Sequence, residues 1–326
     1  MQPTVVFDSY WRFAAERQAI YLKRLDGHSA PWTSDAVLRE HRFTNVYRAA
    51  DRVSQYLITD VQYGALRAQT SDELFFHTLL FKIFNKIETW QLLERHLGQV
   101  SWQATELEAI AQVLDEAYAR GARLYSAAYI MPSPKFGAVR KHRNHLMLIR
   151  AAMDANLPGR VSRATSLQEV YELLVTLRSI GRFLAFQYAI DLNYSAMLEF
   201  DEDDFVVAGP GALDGIAKCF SDLDGMSPEA VIYWVAENQE QEFSKRGIDF
   251  PGLFGRRLQP IDCQNLFCEI SKYARVVHPE VSGVANRTRI KQRYGEATQT
   301  LPAPRFPPRW QLSPPDCFRC GVDLFA

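Results

Sequence analysis

Apolar residues recur at helical spacing in one segment of this chain after another, with little of the strict alternation that a half-buried strand requires. From Tyr10 to Leu25, residues Trp11, Ala14, Ala15, Gln18, Tyr21, Leu22 and Leu25 form one buried stripe, closed by Gly27. Ser34 is a candidate cap for a short helix over Asp35 to Glu40. Residues 71–97 predict a helix pair, and Thr105 to Arg120 one further helix. Thr165 to Ser179 and Phe183 to Tyr194 follow, separated by Gly181, and Gln264 to Val277 ends the series. Tyr129-Ile130-Met131 and Phe205-Val206-Val207 are the strand candidates, both short and bounded by proline or glycine. The expectation is a mainly α fold, with one helical domain over residues 1–300. A proline-rich tail over 301–326 reads as a polyproline II strap or linker.

At 326 residues, 47% of them hydrophobic and 12% aromatic, the chain has the material for one large core or two ordinary ones. The net charge is −1, so nucleic-acid binding requires arginine and lysine clustered on one face. No run of about 18 apolar residues and no charged leader with an apolar core occurs, which predicts a cytoplasmic protein that engages no membrane. Five cysteines, Cys219, Cys263, Cys268, Cys317 and Cys320, fit reduced thiols better than a disulfide framework.

Three arginines, an amide and a carboxylate are packed into Arg42-Phe43-Thr44-Asn45-Val46-Tyr47-Arg48-Ala49-Ala50-Asp51-Arg52, continued by Gln55. Read as a helix, it places Arg48, Asp51, Arg52 and Gln55 on one face and Val46, Ala49, Ala50, Val53 and Leu57 on the other. Such a face is suited to an anion, although the same spacing also describes an ordinary surface ion pair.

Two glycine turns stand out. Val207-Ala208-Gly209-Pro210-Gly211-Ala212-Leu213-Asp214-Gly215 has the outline of a helix-hairpin-helix turn, in which glycines let the backbone approach a DNA phosphate. Leu177-Arg178-Ser179-Ile180-Gly181-Arg182 is a weaker copy, with serine in place of the first glycine, so the hairpin region spans about 165–220. Gly181, Arg182, Gly209, Gly211, Ala212 and Gly215 are the corresponding DNA-binding candidates. Between the turns lies Asp191, an acid inside an apolar helix, which is either partnered or tuned for proton transfer. Asp201, Glu202, Asp203 and Asp204 follow as an acidic cluster.

Lys82 and Asn85 share one face of an aromatic-rich helix, bringing an ammonium and an amide to the edge of a core. Asp262, Asn265, Glu269 and Lys272 form a second stripe, too mixed in charge for a plain solvent face, with Gln264, Cys268 and Tyr273 beside it. Cys317-Phe318-Arg319-Cys320 is half of a zinc-knuckle pattern, so zinc there needs ligands from afar. No other metal and no cofactor is expected. The 326 residues contain no Gly-x4-Gly-Lys-Ser/Thr loop, which argues against a P-loop kinase in this chain.

As an ordered set, Pro31-Trp32-Thr33, Arg42 to Arg48 with Asp51-Arg52, Phe81-Lys82-Ile83-Phe84-Asn85, Gly209-Pro210-Gly211-Ala212 with Gly215, and Gln264-Asn265 with Cys268-Glu269 and Lys272-Tyr273 resemble one family. It is that of the bacteriophage thymidine-hypermodification proteins called amino acid:DNA transferases or α-glutamyl/putrescinyl thymine pyrophosphorylases, which share a helical domain with 5-hydroxymethyluracil DNA kinases. The resemblance runs from about residue 10 to 295. It implies a helix-hairpin-helix DNA-glycosylase-like fold. It also implies double-stranded DNA whose 5-hydroxymethyluracil has been phosphorylated or pyrophosphorylated by an upstream kinase, and a free amino acid (glycine, serine or glutamate) or putrescine as amine donor. The setting it implies is the host bacterial cytoplasm.

On that reading the target base leaves the duplex. Arg42, Arg48, Arg52 and Lys82 clamp the leaving group, and Asp191 or Glu269 takes a proton from the incoming amine. Asn45, Gln264 and Asn265 read the uracil edge or the amino-acid carboxylate, with Asp51, Asn85, Lys272 and Tyr273 completing the substrate site. Cys268 is a candidate nucleophile toward uracil C6. Two competing functions fit the same sequence. One is a DNA glycosylase that excises a modified pyrimidine with help from Asp201, which stands 20 residues after Gly181. The other is a non-catalytic DNA-binding module.

Overall fold

The computed structural model describes residues 1–65, 67–128, 130–295 and 301–312. Helix α1 (Val5–Leu25) begins at Thr4, whose hydroxyl accepts the Val6 N–H. Helix α2 (Ala36–Glu40) is capped by the Asp35 carboxylate, which accepts the Leu38 N–H, so the cap falls one residue after Ser34. A 3-10 turn at Arg48–Ala50 and helix α3 (Arg52–Tyr56) follow, and α3 runs into a π-helical turn over Leu57–Gln62. The next helices are α4 (Ser71–Phe84), α5 (Ile87–Leu97), α6 (Leu107–Ala119), α7 (Lys141–Asp154), α8 (Leu157–Val161), α9 (Leu167–Val175) and α10 (Arg182–Asn193). They are followed by α11 (Pro210–Cys219), α12 (Pro228–Lys245) and α13 (Pro260–Val277).

The mainly α expectation is met. Among the described residues the strands are β1 (Gln2–Pro3) and β2 (Phe220–Asp222), paired antiparallel. Residues 205–207 and 130–131 are not strands, and Tyr129 lies outside the described residues. Periodicity alone does not reveal α7 or α12, because polar residues interrupt their buried stripes: His142, Asn144 and His145 in α7, Gln239 and Glu242 in α12.

The chain divides into two compact units, Met1–Asp51 with Phe205–Ala326, and Arg52–Asp204. In the first, α13 is the central helix, packed by α11, α1 and α12. Its core is aromatic: Tyr10 lies 4.7 Å from Phe267, Trp11 lies 4.8 Å from Phe243, and Phe7 lies 4.6 Å from Phe220 between ring centroids. The described part of the proline-rich tail belongs to this unit, where Phe306 is buried and the Arg256 guanidinium sits 4.0 Å over the Trp310 ring.

The closest approach in the unit is between α11 and α13. A Cβ on Gly215 would fall 1.9 Å from the Phe267 carbonyl oxygen, and one on Gly211 would fall 2.3 Å from Cys268 Sγ. These two glycines, one turn apart, let the helix backbones meet. Gly215→Ala is therefore expected to cost about 1–3 kcal/mol or more in urea unfolding, as overpacking without room to relax. An unchanged unfolding midpoint would show that the two helices are not seated this closely.

In the second unit, α4 is buried over nearly its whole length, from Glu73 to Phe84, as its near-continuous apolar sequence requires. It is covered by α7, α8, α10, α5 and the π turn. Thr70 caps its start, and Asn85 ends it in the left-handed conformation with φ 47°.

Candidate functional site

The arginine-rich segment is not a helix. Residues 42–47 are irregular, Tyr47 (φ −85°, ψ 120°) and Asp51 (φ −68°, ψ 144°) are extended, and only Arg48–Ala50 turns as a 3-10 helix. The reason is local competition by side chains. The Asp51 carboxylate accepts the Asn45 N–H at 2.7 Å, and Asn45 Nδ2 donates to the Ala50 carbonyl at 2.7 Å, closing a loop where helical bonds would run. The expected shared face of Arg48, Asp51, Arg52 and Gln55 is therefore corrected. Arg52 opens α3, is exposed, and makes a 3.9 Å ion pair with Glu88, a surface contact of little energetic weight.

The loop lies along the polar stripe of α13, which explains why that stripe is mixed. Asp262 Oδ1 accepts the Arg48 N–H at 2.9 Å, while its Oδ2 accepts the Gln259 N–H at 3.1 Å in a capping box. Asn265 Nδ2 donates to Thr44 Oγ1 at 3.1 Å and to the Asn45 carbonyl at 3.2 Å. Glu269 Oε2 accepts the Thr44 N–H at 3.0 Å and pairs with Lys272 Nζ at 2.6 Å. Lys272 also lies 5.2 Å from the centre of the Phe43 ring, and the Tyr273 hydroxyl donates to Asp35 Oδ2 at 2.6 Å. Gln264 is buried on the same helix.

Sequence reasoning missed Arg17. It is buried on α1, donates through Nε to the Thr44 carbonyl at 3.1 Å and through Nη2 to Asn45 Oδ1 at 2.9 Å, and so holds the loop from the other side. The available signal was its position four residues from both Phe13 and Tyr21, inside the apolar stripe.

This cluster holds Asp51, Asp262 and Glu269 against Arg17, Arg48 and Lys272, so its cations are largely neutralised from within. Arg48 is 4% exposed and Glu269 is 4% exposed, and both serve the loop's anchorage. Arg48 through its N–H and Glu269 through its carboxylate tie the loop to α13. Arg42 is different: its side chain is exposed while its N–H is tied to the Gln292 carbonyl at 3.0 Å.

Burial raises the Asp51 carboxyl to about 7, with the Asn45 N–H opposing the rise and the charge of Glu269 adding to it. Burial likewise raises Asp262 to about 6, against the Arg48 and Gln259 N–H groups. Both values lie above the ordinary 3.8, so the folded protein holds these protons more tightly than the unfolded chain. Their contribution to stability is full below about pH 4 and is lost as pH rises through about 6 and 7. Asp262→Asn is expected to gain stability relative to the native protein between about pH 4 and pH 6, by denaturant titration at each pH. A difference that does not change with pH would contradict this assignment.

Cys268 lies on α13, where it faces Gly211. Burial and the neighbouring Glu269 push its thiol up to about 12, despite nearby Lys272, Arg275 and Arg287, and its sulfur fills the space left open by Gly211.

In the second unit the structure brings Lys82, Asn85 and Asp191 together. Lys82 Nζ donates to Asn85 Oδ1 at 2.8 Å and pairs with Asp191 Oδ2 at 3.2 Å, and the residues are 3%, 5% and 0% exposed. Of the two readings open for Asp191, the structure shows a partnered acid. Gln62 in the π turn donates to the Asp191 carbonyl at 2.8 Å and to Thr78 Oγ1 at 2.9 Å, locking α10 to α4.

The two glycine turns separate. The one that lacks the first glycine joins two helices, α9 and α10, and Ser179 takes the left-handed conformation (φ 63°) where glycine was expected. Gly181 caps α10 and is exposed, as is Arg182, whose Nε donates to the Tyr171 hydroxyl at 3.3 Å. The Gly209 turn follows irregular chain instead of a helix. Gly209 is a buried cap of α11, Ala212 is buried, and Gly211 and Gly215 face α13. In the acidic cluster Asp201, Asp203 and Asp204 are exposed on a turn, and Glu202 is buried.

Cys317 and Cys320 lie outside the described residues. Among the described residues no group of three or more His, Cys, Asp or Glu is placed to hold a metal ion, and no helix is long and apolar enough to cross a membrane.

Residues 4–283 match the helical domain of 5-hmdU DNA kinases, and because this takes in most of the chain, the protein belongs to that family. The 5-hmdU DNA kinase of Bacillus phage SP10 is 25% identical over 288 residues, covering 82% of this chain and 45% of that relative. The chain thus spans about half the length of the curated relative it matches. No solved structure matches.

Proposed function

We propose that the chain is an amine transferase acting on phosphorylated 5-hydroxymethyluracil in double-stranded DNA, with a free amino acid or polyamine as donor. Family membership supports a role in hydroxymethyluracil modification. The observation that carries the reading is Asp51. Its carboxylate accepts the Asn45 N–H at 2.7 Å in a loop that also presents the exposed Arg42, and burial raises it from the ordinary carboxylate value.

An incoming amine is cationic at neutral pH and becomes a nucleophile only on losing a proton. Asp51, poised near that pH, takes the proton. Arg42 receives the phosphate oxygens as the C–O bond breaks with both electrons leaving on the phosphate. The nitrogen lone pair then forms the C–N bond to the exocyclic carbon, and the second nitrogen proton passes to solvent or to the departing phosphate. Arg17, Asp262, Asn265 and Glu269 hold the loop in place for this step. Gly181 and Arg182, at the exposed end of a hairpin of helix-hairpin-helix type, take the duplex backbone.

The test is release of inorganic phosphate from a duplex carrying 5-phosphomethyl-deoxyuridine, with and without a pool of amino acids and polyamines. Amine-dependent release is expected. Free base with an alkali-labile abasic site would replace the reading by a glycosylase, and binding with no chemical change would replace it by a DNA-binding module.

A further inference from the structure

We propose that residues 285–293 form a cationic strap that grips the sugar-phosphate backbone of duplex DNA, an inference resting on the reading of DNA as substrate. The strap begins just beyond residue 283, where the match to the family's helical domain ends.

Arg287, Arg289, Lys291 and Arg293 fall at every second residue, and all four are exposed. No acid occurs from residue 281 to 295, in a chain whose net charge is only −1. Among the described residues none of the four forms an ion pair, whereas Arg17, Lys82, Lys218 and Arg246 all have carboxylate neighbours. Exposed arginine and lysine without acids are the electrostatic footprint of a polyanion. In extended chain, alternate residues stand about 6.6 Å apart on one side, a row suited to successive phosphates.

The strap is held by its backbone and not by these side chains. Its start is tied down where the Ala285 N–H donates to Asp214 Oδ1 at 2.7 Å, Asp214 itself being 1% exposed and paired with Lys218 at 3.3 Å. Its middle is held by Arg275 Nη1, which donates to the Arg289 carbonyl at 3.2 Å. Its end is bridged to His41, with the Arg42 N–H donating to the Gln292 carbonyl at 3.0 Å and the Tyr294 N–H to the Glu40 carbonyl at 2.9 Å. The Glu40 side chain is the acidic group at that end. The four cations are therefore presented on anchored backbone, whose end at Arg293 lies beside Arg42. A row so placed fixes the duplex register relative to the loop that carries Asp51, positioning the DNA without reading its sequence.

The experiment measures binding of an unmodified duplex by fluorescence anisotropy over a series of salt concentrations. It compares the native chain, a variant with Arg287, Arg289, Lys291 and Arg293 all changed to Gln, and one with the three arginines changed to Lys. Every phosphate that the protein no longer neutralises lowers the slope of log affinity against log salt by about 0.9, so the Gln variant is expected to lose about 3 to 4 from that slope and to bind at least tenfold more weakly at low salt. The Lys variant, which keeps the charge, is expected to retain the native slope. An unchanged slope in the Gln variant would overturn the strap, as would tighter binding of an RNA duplex of the same sequence. A strap effect without base chemistry would leave this inference standing and remove the transferase. No DNA binding by the native chain would remove both.

Discussion

Replacing Lys82 by methionine is expected to destabilise the protein by about 3–5 kcal/mol, the largest single effect foreseen away from the helix contacts. Asp191 is 0% exposed, and its Oδ2 lies 3.2 Å from the Lys82 ammonium, so removing the cation leaves a carboxylate in the core without its countercharge. The same change deprives Asn85 Oδ1 of its donor at the end of α4. Changing Asp191 to leucine in addition to Lys82 to methionine is expected to restore most of the loss, because a buried ion pair and an apolar pair of similar volume are often nearly equal in stability. Urea unfolding of the two single variants and the double variant reads this directly. A double variant no more stable than the single one would mean that the pair is not the unit that matters.

Asp51→Asn is expected to lower amine transfer by about 10²- to 10⁴-fold with the fold retained. The asparagine oxygen still accepts the Asn45 N–H, so the loop keeps its closure while the proton acceptor is gone. In the native protein the rate should rise with pH through about 7, the value to which burial raises this carboxyl, since only the ionised form takes the proton. A native rate in the asparagine variant, or a profile flat across that range, would remove Asp51 from the reaction.

Much of the architecture was legible because helical periodicity is a strong signal wherever the buried stripe is purely apolar. α1, α4, α5, α6, α9, α10 and α13 all lie within a few residues of their predicted positions. α7 and α12 were hidden by histidine, asparagine, glutamine and glutamate that hydrogen-bond inside the core, for example Gln239, which donates to the Leu258 carbonyl at 2.9 Å and accepts the Leu258 N–H at 2.8 Å. Most of the residues singled out for chemistry make specific contacts, but their partners were not legible. Nothing in the spacing tells that Lys82 meets Asp191 across 109 positions, or that the α13 stripe is spent on the backbone of residues 44–48. The arginine segment misled because its residues suit a helix, while Asn45 and Asp51 close it into a loop by bonds that only the fold reveals. The Gly209 turn misled for a related reason: glycine serves a phosphate approach and a tight helix crossing equally well.

Nucleoside mass spectrometry tests the central claim most directly. DNA containing 5-hydroxymethyluracil, first phosphorylated on its exocyclic oxygen, is incubated with the protein and a pool of amino acids and polyamines, then digested. The account predicts a thymidine-like nucleoside that has lost phosphate and gained the mass of one amine. Recovery of the phosphorylated nucleoside unchanged, in the presence of folded protein bound to the duplex, would contradict it.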